Sequence, residues 1–511
     1  MSAETSSAER LAGWVWLIAF AQLVLHLATS TRYGYFGDEL YYLACADHLA
    51  WGYVDQPPFS IALLAAWKGL FGDSLAVLRV PPALATAAIV VLTGLLTREL
   101  GGGRFAQSLA ALATAIAGVN LVIGGYYSMN PLDALVWVGA FYLLARLLEQ
   151  PSPARWLALG ALLGVGLLNK ISVLWFGAGL FAGLVVTPYR SQLRTPWPWL
   201  AGGLAALLFA PHVIWQVQNG WPTAEFVRVA TAGKMLPVGP VDLFAQQVLA
   251  MHPLTAPLWA AGLVWLLLGR GGPRSRVFGV VFLVVAAILI VNGTSRPNYL
   301  ALAQPPLLAA GSVWLGSLTE RGRGWLRPHA AALLVVSGLA GAPLVVPLLE
   351  PEDTIAYGAA LGIEAPRMEY GHTAALPQHF ADMHGWPEIV AAVAEVHRAL
   401  EPEDRARVGV FAGNYAEAGA VDLLGGPLGL HGAISAHNNY WLWGPGDVSG
   451  ELMILLGGDE ASLRELYVDV RQVGALRCEW CMPSRNGKPI YLARGLRRPL
   501  AEVWPELRHY D

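Results

Sequence analysis

The chain has 511 residues, 55% of them hydrophobic and only 14% charged, with a formal net charge of −3. Soluble domains carry about 25% charged residues, so this composition excludes an ordinary soluble protein, and the lack of a basic excess excludes a nucleic-acid partner. With only Cys45, Cys478 and Cys481 there is no disulfide framework either.

Residues 11–29 are almost wholly apolar and long enough to cross a bilayer. No small-residue cleavage site follows, so the segment reads as a retained helix rather than a signal peptide. Next comes Tyr33-Gly34-Tyr35-Phe36-Gly37-Asp38-Glu39-Leu40-Tyr41-Tyr42, two adjacent carboxylates among aromatic rings at a membrane boundary. Asp55-Gln56-Pro57-Pro58 and Arg79-Val80-Pro81 lie between this tract and the second apolar segment. Apolar segments recur near 80–97, 107–124, 132–148, 157–187, 198–215, 254–268, 277–294, 299–316 and 329–349. Arginines collect in five of the connections, at Arg98/Arg104, Arg146/Arg155, Arg190/Arg194, Arg270/Arg274/Arg276 and Arg321/Arg323/Arg327. The positive-inside rule makes these cytoplasmic. The connections holding Asp38-Glu39, 126–130, 220–246 and 296–299 are then external.

The block at 157–187 would run about 46 Å as one helix at 1.5 Å per residue, against a hydrocarbon core about 30 Å thick. One crossing would also move the Arg190/Arg194 loop outside. Two short helices with a turn near Leu168-Asn169-Lys170 restore the parity. The count is then about eleven spans, and Lys170 lies near the external surface. An intramembrane lysine is costly and needs a partner, unless it snorkels from a helix end.

Residues 350–511 are mixed in character, with strands predicted at 407–412 and 452–456 and helices at 387–400 and 460–467. The expected architecture is a transmembrane domain over 1–349 and an extracytoplasmic α/β domain over 350–511. Cys478-Glu479-Trp480-Cys481 lies in the latter. One CxxC is a weak metal signal; outside the membrane a local disulfide or two free thiols fits better. The segment 413–420 follows a strand and opens a helix, a geometry able to bind anions. Residues 437–444 are dense in amide and aromatic groups, which suit sugar binding.

Taken in order, these tracts resemble the polyprenyl-phosphate-dependent glycosyltransferases, which include the protein O-mannosyltransferases and the aminoarabinose transferases of lipid A. Asp38-Glu39 matches the acidic pair of that family's first loop. Asp55-Gln56-Pro57-Pro58 matches its acidic-Lys-Pro-Pro element, with Gln56 in place of the lysine. Tyr126-Tyr127-Ser128-Met129-Asn130-Pro131-Leu132-Asp133 resembles its Phe-Ser-Thr-Asp-Ala-Pro stretch, with Asn130 where an Asp is common. Gly166-Leu167-Leu168-Asn169-Lys170 resembles Gly-Leu-Leu-Thr-Lys, and Ser295-Arg296-Pro297-Asn298-Tyr299 the late Lys/Arg-x-x-Tyr loop. The resemblance spans roughly residues 10–320. It implies a C-type glycosyltransferase fold in the inner membrane with its active site outside the cytoplasm. The implied partners are membrane lipid, a polyprenyl-phosphate-sugar donor and a lipid, glycan or protein acceptor.

Glycosyl transfer needs a base or orienting group for the acceptor, stabilisation of charge at the sugar carbon, and a cation for the departing phosphate. On this reading Asp38 is the base and Glu39 the second carboxylate. The alternative is structural, with Asp38 capping an interfacial helix and Glu39 in its first turn. Asp55, Arg79, Asn130, Asp133, Lys170, Arg296 and Tyr299 are the substrate-binding candidates. Because Gln56 replaces a lysine, Lys170 and Arg79 gain weight as phosphate cations. Glu39, Asp55 and His252 are candidate ligands for a divalent metal ion, although His252 also fits a helix cap. All of Asp38, Glu39, Asp55 and Lys170 are expected at one outward-facing cavity. A lipid transporter or flippase is the competing reading, but its paired inverted repeats are not visible here. A non-catalytic sugar- or lipid-binding membrane protein is a third.

Overall fold

The computed structural model describes residues 11–235, 237–363 and 374–511. Its contacts divide the chain into two compact units. The first holds Met1–Ser30, Ala76–Trp215 and Met235–Leu348, the second Thr31–Leu75, Gln216–Lys234 and Leu349–Asp511.

The first unit is helical. Four of the described helices, Leu75–Glu99, Met129–Glu149, Trp197–Gln218 and Pro273–Asn292, are long and apolar enough to cross a membrane, up to seven spans if each bent helix pair is one. Gly13–Thr29 and Pro153–Leu167 are shorter apolar helices, and Pro305–Glu320 and Leu326–Gly341 also have fewer than 18 residues. Among the described residues the span-length helices thus number four to seven, fewer than the eleven crossings expected from sequence. The chain is a multi-pass membrane protein.

As expected, the block at 157–187 is broken. Pro153–Leu167 is capped by Ser152, whose hydroxyl accepts from the Arg155 amide, with Pro153 in the first turn. A new helix starts at Val173 and runs to Val185. Asn169 holds the turn between them by donating to the Met129 carbonyl at 2.9 Å.

Small residues bring the helices of this unit together. A Cβ on Gly262 would lie 1.9 Å from the Leu307 carbonyl oxygen, and one on Gly311 2.0 Å from that of Leu258. The helices Ala256–Leu267 and Pro305–Glu320 thus meet backbone to backbone. Gly179 and Gly183 do the same for Val173–Val185 against Val281 and Val277. In lipid, where burying apolar surface between helices gains little, such close contact is a main source of attraction.

The second unit is built on a four-stranded sheet in the order β1-β2-β4-β3. The strands are β1 Gly409–Phe411, β2 Leu452–Leu456, β3 Tyr467–Ala475 and β4 Pro489–Leu496. β1 and β2 pair parallel; β4 pairs antiparallel with both β2 and β3. β2 is buried along its whole length, which is why it was legible as an apolar run. β3 alternates irregularly and gave no such signal. Trp386–Ala399 and Glu460–Leu466 match the expected helices. Cys478 and Cys481 form a local disulfide, and Cys45 is buried and free.

The sequence boundary at 349/350 assigned the first loop to the membrane part, whereas the contacts group Thr31–Leu75 and Gln216–Lys234 with the C-terminal residues. Close packing accounts for this. A Cβ on Gly419, in helix Tyr415–Leu424, would lie 2.8 Å from the Leu40 carbonyl of helix Gly37–Asp47. Tyr33 packs edge-on to Phe380 at 5.2 Å and donates to the Leu349 carbonyl at 2.9 Å.

Because Gly262 has no room for a methyl group, Gly262→Ala should lower the thermal midpoint of the detergent-purified protein, by the equivalent of about 1–3 kcal/mol. Gly202→Ala, with nothing within 4 Å of the added carbon, should leave it unchanged or slightly raised. Equal midpoints for the two variants would contradict the backbone contact.

Candidate active site

Helix Gly37–Asp47 begins with a set of fixed hydrogen bonds. The Phe36 amide donates to Glu39 Oε2 at 2.9 Å, and the Gly37 amide to Asp382 Oδ2 at 2.8 Å. Asp382 is ion-paired with Arg485, whose guanidinium lies 3.7 Å from the Trp386 ring centroid. Trp386 in turn donates to the Tyr35 carbonyl at 2.8 Å. Glu39 is fully buried. Its observed bond is to the backbone that starts the helix, in the manner of a capping box, so the structural part of its expected role is the one seen.

Asp38 is only half-buried. It lines a polar cavity of about 260 Å³ together with Asp382, Asn414, Tyr415, His437, Arg485, His509 and Asp511. Its Oδ1 accepts a hydrogen bond from the Tyr415 hydroxyl at 3.0 Å. Tyr415 opens the helix Tyr415–Leu424, which Asn414 caps by accepting from the Ala416 and Glu417 amides at 3.0 Å each. The ring of Tyr415 stacks on Tyr41 at 4.5 Å and 29°.

Behind this wall lie two imidazoles. The Tyr415 amide donates to His437 Nδ1 at 3.3 Å, and His437 Nε2 lies 2.8 Å from Asp511 Oδ1. His509 stacks on His437 at 4.6 Å and 17°. Burial, and then the neighbouring His437, hold the His509 imidazole below its ordinary pKa. The connecting Asn438 has φ +47°, rare for a non-glycine residue.

His437, His509 and Asp511 are the group among the described residues able to offer three metal ligands. The expected set of Glu39, Asp55 and His252 is not gathered in this way: Glu39 caps its helix, and His252 Nδ1 accepts from the Leu254 amide at 3.3 Å, as a helix cap does. The His437 group does not fit an ion as it stands. Two nearly parallel rings cannot both hold one ion in their planes, and both nitrogens of His437 are engaged.

Asp55 Oδ1 lies 3.0 Å from the Tyr41 hydroxyl, which is also 3.1 Å from Asn439 Oδ1. Burial first, and then the Asp55 charge, raise the Tyr41 phenol well above its ordinary pKa. Gln56 is fully buried, with neither amide atom hydrogen-bonded. An unmet buried polar group costs about 1–3 kcal/mol, so Gln56 is an open valence in this part of the chain.

The membrane unit gathers a second set of the expected residues. Lys170 Nζ donates to Asn130 Oδ1 at 2.7 Å and lies 3.8 Å from Asp133 Oδ2. It also sits 5.1 Å above the Tyr299 ring. Ser172 donates to Asp133 at 2.7 Å and accepts from Trp137 Nε1 at 3.3 Å. Asn298 Nδ2 is 3.3 Å from Asn130 Oδ1. Thus Asn130, Asp133, Lys170 and Tyr299 come together, so Lys170 is paired rather than snorkelling. Arg79 is buried and donates to the Ser30 carbonyl at 2.7 Å, tying off helix Gly13–Thr29. Arg296 precedes helix Pro297–Ala301. Ser172, Trp137, Asp382 and Arg485 carried no sequence signal, because only folding supplies their partners. Tyr415 and His437 fell inside the tracts flagged at 413–420 and 437–444.

Residues 55–215 match the family model described as dolichyl-phosphate-mannose-protein mannosyltransferase. An undecaprenyl phosphate-alpha-4-amino-4-deoxy-L-arabinose arabinosyl transferase of Pseudomonas fluorescens is 28% identical over 224 residues, 40% of this chain and 37% of that protein. One from Pseudomonas aeruginosa is 30% identical over 166 residues, 31% of this chain and 29% of its own length. The chain therefore aligns with only about a third of the length of these relatives. The crystal structure of ArnT from Cupriavidus metallidurans bound to undecaprenyl phosphate superposes with TM-score 0.62 at 15% identity, covering 94% of this chain and 98% of the other. The apo form gives 0.60. Residues 55–215 thus resemble the mannosyltransferase family, and the chain shares the fold of the ArnT structures, a C-type glycosyltransferase fold.

The buried pair in the membrane unit has a measurable cost. Lys170→Met leaves Asp133 without its cation and should destabilise the protein by about 3–5 kcal/mol. Lys170→Met combined with Asp133→Asn should recover much of that loss in thermal unfolding. A double variant no better than the single one would show that the pair is not coupled.

Proposed function

We propose that this chain transfers a sugar, a hexose or pentose, from a polyprenyl-phosphate donor to a hydroxyl or amine of a lipid, glycan or protein acceptor on the outer side of the inner membrane. The observation that carries the reading is Asp38: a carboxylate on a polar cavity, in a chain with the fold of a protein crystallised with undecaprenyl phosphate. On this reading the acceptor's nucleophile enters the cavity beside Asp38. Asp38 takes its proton as the new bond forms at the anomeric carbon. The bond from that carbon to the phosphate oxygen breaks, and the electron pair leaves with the polyprenyl phosphate. Lys170 is assigned to the departing phosphate, because it is the buried ammonium of the expected set. Gln56, with its unused amide, offers a neutral donor where the family has lysine. Glu39 acts by holding the helix that presents Asp38.

Asp38→Asn keeps the size of the side chain but cannot accept a proton at neutral pH. It should slow transfer by about 10²–10⁴-fold, with the melting temperature unchanged. The assay is release of polyprenyl phosphate from labelled donor by the purified full chain. Glu39→Gln should lower both activity and thermal stability, since the helix start loosens. Near-normal turnover by the Asp38 variant would remove the central claim. Movement of labelled lipid across vesicle bilayers without sugar transfer would favour the transporter reading.

A further inference from the structure

The C-terminal segment reaches the candidate base directly, which gives it a part in the chemistry. We infer that Tyr415 is the positioning residue for Asp38, so that residues from the far end of the chain complete the acceptor side of the site. The inference rests on the proposed transfer reaction.

The geometry is over-determined. The Tyr415 hydroxyl donates to Asp38 Oδ1 at 3.0 Å. Its ring packs on Tyr41, at 4.5 Å and 29°, and on His437, at 4.7 Å and 33°. Its backbone amide is engaged by His437 Nδ1 at 3.3 Å. The helix it opens is capped by Asn414 and anchored by Glu417, which accepts from the Gly413 amide at 3.0 Å and pairs with Lys488. The same helix packs on the Asp38 helix through Gly419, where any side chain would strike the Leu40 backbone. A freely rotating aspartate loses orientation with each turn of its side chain. A directed hydrogen bond from a ring packed on two neighbours restrains the Asp38 carboxylate, so that it meets the acceptor in a defined orientation. Holding a base within a fraction of an ångström of its proton is worth large factors in rate. A tyrosine suits this task, because it donates to the carboxylate without adding a charge beside it.

The test is a double-mutant cycle in the purified full-length protein, with Tyr415→Phe, Asp38→Asn and the combination. Phenylalanine keeps the ring stack and removes only the hydroxyl. Tyr415→Phe should lower kcat about tenfold or more while KM for the donor stays within about twofold. In the Asp38→Asn background the same change should have no further effect on kcat. Melting temperatures, measured in parallel, check that every variant is folded. A kcat near the wild-type value in Tyr415→Phe, or equal fold losses in both backgrounds, would overturn the inference. Absence of transfer in the unmodified protein would instead sink the underlying reaction, and is seen before the cycle begins.

Discussion

The candidate site depends on how one short helix is started. Helix Gly37–Asp47 has no hydroxyl or carboxylate at its capping position, Phe36. Its first amides are met by Glu39 from within the helix and by Asp382 from far along the chain. Asp382 is also paired with Arg485, whose guanidinium lies over the Trp386 ring. This chain of contacts places Asp38 on the cavity and turns Glu39 inward. The acidic pair therefore divides its labour by position: one carboxylate satisfies backbone, the other faces the cavity.

The membrane unit handles its polar residues by the same rule. Lys170, Asp133, Asn130, Ser172, Trp137 and Asn298 form one connected set. Inside a membrane each of these groups would be costly alone, and together each has a partner. The break at 168–172 is what allows it, since the turn carries both Lys170 and Ser172 to Asp133. Backbone glycine contacts hold the surrounding helices close enough for short side chains to meet.

Two of the expected roles changed character for physical reasons. His252 is consumed by its own backbone as a cap. Gln56, where the family has a lysine, is fully buried with its side-chain amide unmet. His437, His509 and Asp511 do come together, but with their imidazoles stacked rather than turned toward one point.

By itself the sequence determined the membrane class and the broken block at 157–187, and it singled out Asn130, Asp133, Lys170 and Tyr299 one by one without showing that they meet. These follow from quantities carried locally: apolar length, arginine placement, and polar residues that lipid will not tolerate unpaired. It also marked Asp38-Glu39 and the tracts at 413–420 and 437–444. Only the tertiary structure decided which carboxylate faces the cavity, that the first loop packs with the C-terminal residues, and that Tyr415 meets Asp38. Those outcomes hang on contacts between residues more than three hundred positions apart, such as Gly37 with Asp382 and Asp38 with Tyr415. Neither periodicity nor motif spacing encodes such a pairing, because it is set by which surfaces pack once the chain has folded.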